Sequence, residues 1–161
     1  MSGGSSPLSS EVIAKRRNLL YIVIAVLSLC GLADAIYLTI EHITGQSVRC
    51  TIIAGCSEVL SSSYAVVAGY PLASIGALAY FSVFSLAILA LFGYRFAGLL
   101  LMLLVIGMCL VSLWLIYLQA LVIHAFCQFC LLSAIITFSL TGLVLLLWKM
   151  RNINFLPESN K

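Results

Sequence analysis

The feature that most constrains the fold is an uninterrupted apolar run from Phe96 to Trp148. Its 53 residues contain no Asp, Glu, Lys or Arg. A single helix crosses the roughly 30 Å of hydrocarbon in a bilayer with about 20 residues. The run therefore predicts two membrane-spanning helices joined by a turn. Its polar side chains cluster near the middle, at Gln119, His124 and Gln128, and predict where that turn falls.

Two further apolar segments precede this run. The first extends from Asn18 to Ile40, directly after three basic residues, and is too long for the core of a cleaved signal peptide. The second begins at Pro71, which suits the first turn of a helix, and ends near Leu91. Only 8% of the 161 residues are charged, against about 25% in soluble domains. The predicted fold class is an all-α membrane protein, a four-transmembrane-helix bundle with an outer loop carrying a short helix.

The basic residues predict the orientation of the bundle. Four spans put both termini on one side, together with seven of the eight Lys and Arg residues; only Arg49 falls on the other side. The positive-inside rule then predicts cytoplasmic termini in a multi-pass protein of the inner or plasma membrane. We expect a disordered cytoplasmic N-terminus at 1–17, a transmembrane domain at 18–148 and a cytoplasmic tail at 149–161. Membrane lipid is the expected surrounding, and a net charge of +3 is too small to indicate nucleic acid.

The chain has six cysteines, and four of them fall at the predicted outer face. Cys50 and Cys56 lie in the first outer loop, and Cys127 and Cys130 form a C-x-x-C at the start of the fourth span. Both pairs face a compartment in which disulfides persist. The other two fall in mid-span and are interpreted as apolar packing residues, namely Cys30 and Cys109.

The C-x-x-C has the sharper chemical signature. A spacing of three places both sulfurs on one face of a helix, one turn apart. The start of a helix offers unpaired N–H groups and the positive end of the helix dipole, which stabilise a thiolate. A thiolate is the species that attacks disulfides. Apolar neighbours, Phe126 among them, predict a dry site suited to a hydrophobic electron acceptor in the bilayer.

The loop pair is open to a soluble partner. Gly55 permits the sharp backbone turn with which Cys50 and Cys56 could close a small disulfide ring. Together the two pairs could pass two electrons by successive thiol–disulfide exchange. Two alternatives remain: structural disulfides in a non-catalytic membrane scaffold, or zinc held by four thiolates. An oxidising site that opens onto the membrane disfavours zinc, so no metal is predicted.

Two ionisable residues have both a functional and a structural interpretation. Asp34 lies deep in the first span, where a charged group is costly. It is a possible proton relay for a reaction in which protons follow electrons, or a hydrogen-bonded residue that joins helices. His124 lies three residues before Cys127 and, if protonated, would favour its thiolate. It is equally interpretable as a residue of the membrane interface.

Several stretches of the chain resemble one known family. They are Gly31-Leu-Ala-Asp34, Tyr37-Leu-Thr39, Cys56-Ser-Glu-Val-Leu-Ser-Ser62, Pro71-Leu-Ala-Ser-Ile-Gly76 and Phe126-Cys-Gln-Phe-Cys130. With its four cysteines in this order, the chain resembles the bacterial and archaeal homologues in the vitamin K epoxide reductase family over about residues 18–148. The resemblance implies a membrane thiol–disulfide oxidoreductase, an enzyme that oxidises a thioredoxin-like partner and reduces a quinone in support of disulfide-bond formation.

The resemblance also implies a role for each cysteine. Cys127 and Cys130 would form the redox centre, with Cys130 next to the quinone. Cys50 would exchange with the partner, and Cys56 would carry electrons inward through a transient bond with Cys127. Ser62 would cap the quinone site.

Two departures from the animal enzymes narrow the implied substrate. Leu72 stands where they place an Asn that donates to the substrate oxygen, and Ala134 stands where they place a Tyr. The departures favour a plain quinone (menaquinone, ubiquinone or phylloquinone-like) over an epoxide, with Ala134 and Phe126 among its predicted contacts.

Because the sequence ends at Lys161, a fused thioredoxin-like domain is not expected, and the partner is expected to be a separate extracytoplasmic protein. A DsbB-type enzyme performs the same net reaction, but there the C-x-x-C precedes the spaced pair.

Overall fold

The computed structural model describes residues 7–44, 59, 65–67 and 69–153. These residues form four long helices, which are α1 (Pro7–Thr44), α2 (Leu72–Leu91), α3 (Arg95–Leu118) and α4 (Gln128–Ile153). Two short antiparallel strands, β1 (Val66–Val67) and β2 (Tyr70–Pro71), precede α2 and were not expected from the sequence. The short helix predicted for the outer loop falls in a segment of which only Val59 is described.

All four helices are long and apolar enough to cross a membrane. In the span Phe96–Ile123, only 11% of the most apolar stretch is buried inside the protein. Large apolar side chains therefore cover the outside of the bundle, and those of α3 include Leu99, Leu103, Leu110 and Leu113. Lipid is the solvent that accepts such a surface, and helices satisfy their backbone hydrogen bonds without water. The predicted four-span membrane bundle is confirmed.

The outer limits of the helices differ from the prediction. α1 begins at Pro7 rather than Asn18, so residues 7–17, predicted to be disordered, are helical. Proline is favoured at the start of a helix, and the following stretch to Arg17 is rich in good helix formers. A helix can continue into the polar region beyond the hydrocarbon, because its backbone hydrogen bonds do not depend on apolar side chains. Hydropathy detects only the apolar part of such a helix and therefore underestimates its length. For the same reason α4 continues beyond Trp148 to Ile153, into the predicted tail.

The turn between α2 and α3 lies where the sequence predicts it. Gly93 has a φ of 93°, a left-handed conformation that suits glycine. The Gly93 N–H donates to the Ala90 carbonyl at 3.1 Å, and the Tyr94 N–H donates to the Leu89 carbonyl at 3.2 Å. This pair of bonds is the Schellman ending of a helix, and it satisfies carbonyls that α2 would otherwise leave unpaired.

The four helices pack in a ring, each against its neighbours in the chain and α4 against α1. The contact between α1 and α2 is the most extensive, and it depends on Gly31, because a side chain there would overlap the ring of Tyr80. Tyr80 is buried, and its hydroxyl lies 2.8 Å from Ser133 Oγ and 3.0 Å from Thr137 Oγ1 on α4. One tyrosine thus fills the space beside α1 and is hydrogen-bonded to α4.

Candidate active site

The candidate active site lies at the end of the bundle where α3 connects to α4. After Leu118 the chain forms one π-helical turn, Gln119–Ile123, and residues 124–127 are not helical. His124 has a φ of 53° and is the one non-glycine residue with positive φ among those described. The chain thus reverses without Gly or Pro, at the polar cluster that predicted the turn. Left-handed conformations and π-helical turns are both costly and are common at functional sites.

Cys127 occupies the N-cap position of α4. The Leu131 N–H donates to the Cys127 carbonyl at 3.0 Å, and the Cys130 N–H donates to Cys127 Sγ at 3.4 Å. The sulfur therefore takes the place of the oxygen with which Ser or Asp usually caps a helix. It lies at the positive end of the helix dipole, and the residue is fully buried.

This position makes Cys127 acidic for a thiol. The hydrogen bond from the Cys130 side chain lowers the pKa of Cys127 to about 7, and it outweighs burial, which raises that pKa. The backbone N–H groups of Cys130 and Phe129 act in the same direction, while the charge of Asp34 opposes them. At neutral pH Cys127 is therefore more readily ionised than an ordinary thiol, and the thiolate is the form that takes part in disulfide exchange.

Gln119 holds the C-x-x-C against the end of α3. Its side chain is buried, and its Oε1 accepts a hydrogen bond from the Cys127 N–H at 3.1 Å. Without it, this N–H at the start of α4 would have to find another partner in an apolar setting. The sequence predicted Gln119 only as a marker of the turn, since the bond depends on how the π-helical turn directs the side chain.

Apolar contacts from three segments enclose Cys127. Val59, from the segment between α1 and β1, forms a buried cluster with Ala125 and Cys127. Phe129 packs against this cluster, and the ring of Tyr37 on α1 lies against Phe129, with centroids 5.1 Å apart and planes tilted by 45°. These contacts exclude water from the sulfur, as the flanking apolar residues predicted.

A cavity of about 140 Å³ opens beside Cys130. An engineered apolar cavity of about 150 Å³ holds one benzene ring. The wall is mostly apolar, with the few convergent polar groups that are typical of ligand sites. Those polar groups are Asp34, His42, Tyr80, Ser112, Gln119 and Ser133.

Asp34 is the least satisfied polar group at this cavity. It lies on the cavity wall, and its Oδ2 is buried with no hydrogen-bond partner among the described residues. An unpaired buried carboxylate is costly, whereas a protonated carboxyl group can donate a hydrogen bond to a carbonyl oxygen of a ligand. A quinone head group, an apolar ring that carries two carbonyl oxygens, fits both the wall and the unpaired carboxyl.

The predicted site residues divide into three groups. Cys127 and Cys130 lie together, and Cys130 and Ala134 line the cavity with Asp34. Phe126, a predicted quinone contact, is 41% exposed and does not line this cavity. It lies between two inward-facing residues, so its side chain points away from them. The remaining predicted residues are outside the described part of the chain, and they are Cys50, Cys56 and Ser62.

The contribution of Tyr80 is not evident from the sequence. This residue lines the cavity, and its hydroxyl ties Ser133, three residues after Cys130, to Thr137. In the sequence around Tyr80, the only feature that could have indicated a role at the site is the hydroxyl group itself, a polar group in an apolar span. Within the described residues, no three His, Cys, Asp or Glu side chains gather as metal ligands, and the zinc alternative depends on two cysteines outside them.

A comparison with protein-family models matches residues 22–145 to the one described as "Vitamin K epoxide reductase family". The chain belongs to the vitamin K epoxide reductase family. The match covers most of the chain, and it confirms the resemblance drawn from the cysteines and the flanking motifs. Membership makes the protein a membrane oxidoreductase of the disulfide and quinone class. Members of the family generally use a quinone, which agrees with the character of the cavity.

The cause assigned to the acidity of Cys127 is open to a direct test. In a Cys130→Ser variant the hydroxyl still donates, so Cys127 should keep a pKa near 7. In Cys130→Ala that donor is lost, and the pKa should rise toward about 8.5. The measurement is the ultraviolet absorbance of the thiolate as the pH is raised. For each variant, the signal of the same variant carrying Cys127→Ala is subtracted, and the remaining absorbance should rise around the pKa expected for Cys127 in that variant. Identical titration of the two variants would contradict the assignment to the Cys130 side chain.

Proposed function

We propose that this family member oxidises a separate thioredoxin-like extracytoplasmic protein and reduces a membrane quinone, in support of disulfide-bond formation. The observation that carries the proposal is the C-x-x-C at the start of α4, whose Cys127 caps the helix and whose Cys130 faces a ring-sized apolar cavity. The cavity wall also contains a carboxyl with an unpaired oxygen. These are the parts that a reaction moving two electrons and two protons requires.

The proposed relay begins at the loop pair. A thiolate of the reduced partner attacks the Cys50–Cys56 disulfide, and the partner leaves oxidised, with both loop cysteines reduced. The Cys56 thiolate then attacks the Cys127 sulfur of a Cys127–Cys130 disulfide and displaces Cys130 as a thiolate. Attack of Cys50 on Cys56 restores the loop disulfide and releases Cys127 as a thiol. Closing the Cys127–Cys130 disulfide again releases two electrons and two protons.

Packing of the outer segment supports the transfer from Cys56 to Cys127. Val59 lies in the buried cluster that contains Cys127, and Cys56 precedes Val59 by three residues in the chain. Three residues of extended backbone reach about 10 Å. The stretch of chain between Cys56 and this cluster is therefore short enough to permit the proposed transfer.

The residues that would hold a quinone are those of the cavity beside Cys130. A bound quinone supplies the acceptor, taking up two electrons and two protons to become quinol. Cys130 and Asp34 both line the wall, which supports Cys130 as the thiol next to the quinone and Asp34 as the group that holds or delivers a proton. Leu72 and Ala134 give their part of the wall no polar donor, which favours a plain quinone over an epoxide. Ser62 remains the proposed cap of the site.

The proposed orientation rests on the basic residues. Lys15, Arg16 and Arg17 near the start of α1, together with Lys149 and Arg151 at the end of α4, lie at the end of the bundle away from the C-x-x-C. The positive-inside rule places that end in the cytoplasm, and the cysteines then face the periplasm or exterior. The site is thereby open to a partner in the compartment where protein disulfides form.

Loss of Cys130 should abolish quinone reduction. We expect purified Cys130→Ala, supplied with reduced partner and quinone, to form quinol at least about 10³-fold more slowly than the parent protein, since no second thiol remains to close the disulfide. Cys109→Ala, which changes a half-buried cysteine outside the cavity, is the matched control and should keep the parent rate. Quinol formation at the normal rate in Cys130→Ala would disprove the mechanism.

Asp34→Asn tests the proton role while nearly preserving shape. Proton transfer by a positioned group contributes about 10²- to 10⁴-fold, so quinol formation should slow by about 10²-fold or more. Exchange between the partner and the loop cysteines should be unchanged, because it needs no proton from this cavity. A variant that slows both steps equally, or neither, would show that Asp34 has a purely structural role.

A Cys56→Ser variant should trap the partner. With no Cys56 thiol to complete the exchange, Cys50 should remain joined to the partner cysteine, and mass spectrometry of the adduct from cells would identify that protein. Cys30→Ser changes an exposed cysteine in mid-span and should give no adduct. Persistence of the adduct in a Cys50→Ser, Cys56→Ser double variant would refute the assignment of Cys50. If all cysteines of the parent protein stayed oxidised in the presence of the reduced partner, the protein would instead be a non-catalytic scaffold with structural disulfides.

A further inference from the structure

A second cavity lies at the opposite end of the bundle from the C-x-x-C. It has a volume of about 270 Å³ and is enclosed by α1, α3, α4 and the turn between α2 and α3. No residue of its wall belongs to the wall of the first cavity. The redox reaction proposed above makes no use of it, so its chemistry needs a separate account.

Two arginines from different helices face this cavity, Arg17 of α1 and Arg151 of α4. No carboxylate lines the wall, and within the described residues neither guanidinium forms an ion pair. Two like charges directed at one space repel each other, and an anion between them would reverse that repulsion. The guanidinium fork matches the oxygens of a phosphate better than a point charge would.

Gly98 keeps the space in front of Arg151 open. A Cβ atom placed on Gly98 would lie 3.8 Å from the Tyr21 hydroxyl and 3.9 Å from Arg151 Nη1. The hydroxyl and the guanidinium therefore converge over this residue, and both can donate hydrogen bonds. Any longer side chain at this position would fill the space in which the two donors meet.

The surroundings indicate the source of the anion. Tyr94 and Trp148 line the cavity and are exposed, as aromatic residues are at the depth of lipid headgroups. Leu99 lies on the wall and is also exposed on the apolar outside of the bundle, so one molecule could contact both the donors and this apolar side chain. Basic pockets between helices near the cytoplasmic surface bind anionic headgroups. We propose that this cavity binds the phosphate group of an anionic phospholipid.

The experiment uses the full-length protein purified in detergent. Phosphatidylglycerol and phosphatidylcholine are added separately, and binding is measured by native mass spectrometry and by the rise in unfolding temperature. The parent protein should bind phosphatidylglycerol about tenfold or more tightly than phosphatidylcholine. Arg17→Gln with Arg151→Gln should remove that preference. Lys15→Gln with Arg16→Gln removes the same charge outside the cavity and should retain it.

Two further arms keep the result unambiguous. Gly98→Leu retains both arginines but fills the space, and it should also lose the preference for phosphatidylglycerol. Inorganic phosphate at the same concentration should give little protection, since it lacks acyl chains. The proposal would be overturned if the parent protein bound the two lipids equally well. It would also be overturned if the Lys15 and Arg16 control lost the preference for phosphatidylglycerol as fully as the Arg17 and Arg151 variant, or if inorganic phosphate raised the unfolding temperature as much as phosphatidylglycerol.

Discussion

The active site depends on how the backbone is satisfied where α3 connects to α4. In an apolar setting each free N–H must find an acceptor, and at this junction the acceptors are side chains. Gln119 accepts from the Cys127 N–H, and the Cys127 sulfur accepts from the Cys130 N–H. The bonds that begin α4 therefore also position Cys127, and the one from the Cys130 N–H helps to lower the pKa of the Cys127 thiol. Folding of the junction and activation of this thiol share that bond.

A second set of contacts fixes this junction relative to the rest of the bundle. Gly31 lets α1 approach Tyr80, and the Tyr80 hydroxyl bonds to α4 beside Cys130. The Tyr37 ring packs on Phe129 from the other side of the site. These contacts join α1 and α2 to the start of α4, so three helices contribute to the wall of the cavity beside Cys130.

The sequence predicts the spans and the C-x-x-C well, because span length and cysteine spacing are local properties. It does not predict where α1 and α4 end, since a helix continues beyond the lipid without an apolar signal. The meeting of Asp34 with Cys130 at one cavity depends on packing between α1 and α4, which no local pattern encodes. For a related reason the sequence does not predict the direction of the Phe126 side chain, which is determined by the irregular backbone after His124.

The sulfur cap of α4 also has a consequence for the direction of electron flow. A thiolate accepts the hydrogen bond of the Cys130 N–H far better than a disulfide sulfur does, so the first turn of α4 stabilises the reduced form of the pair. Stabilising the reduced form raises the reduction potential of a disulfide and makes it a stronger oxidant. The hydrogen bond that begins α4 thus shifts the Cys127–Cys130 pair toward its dithiol form.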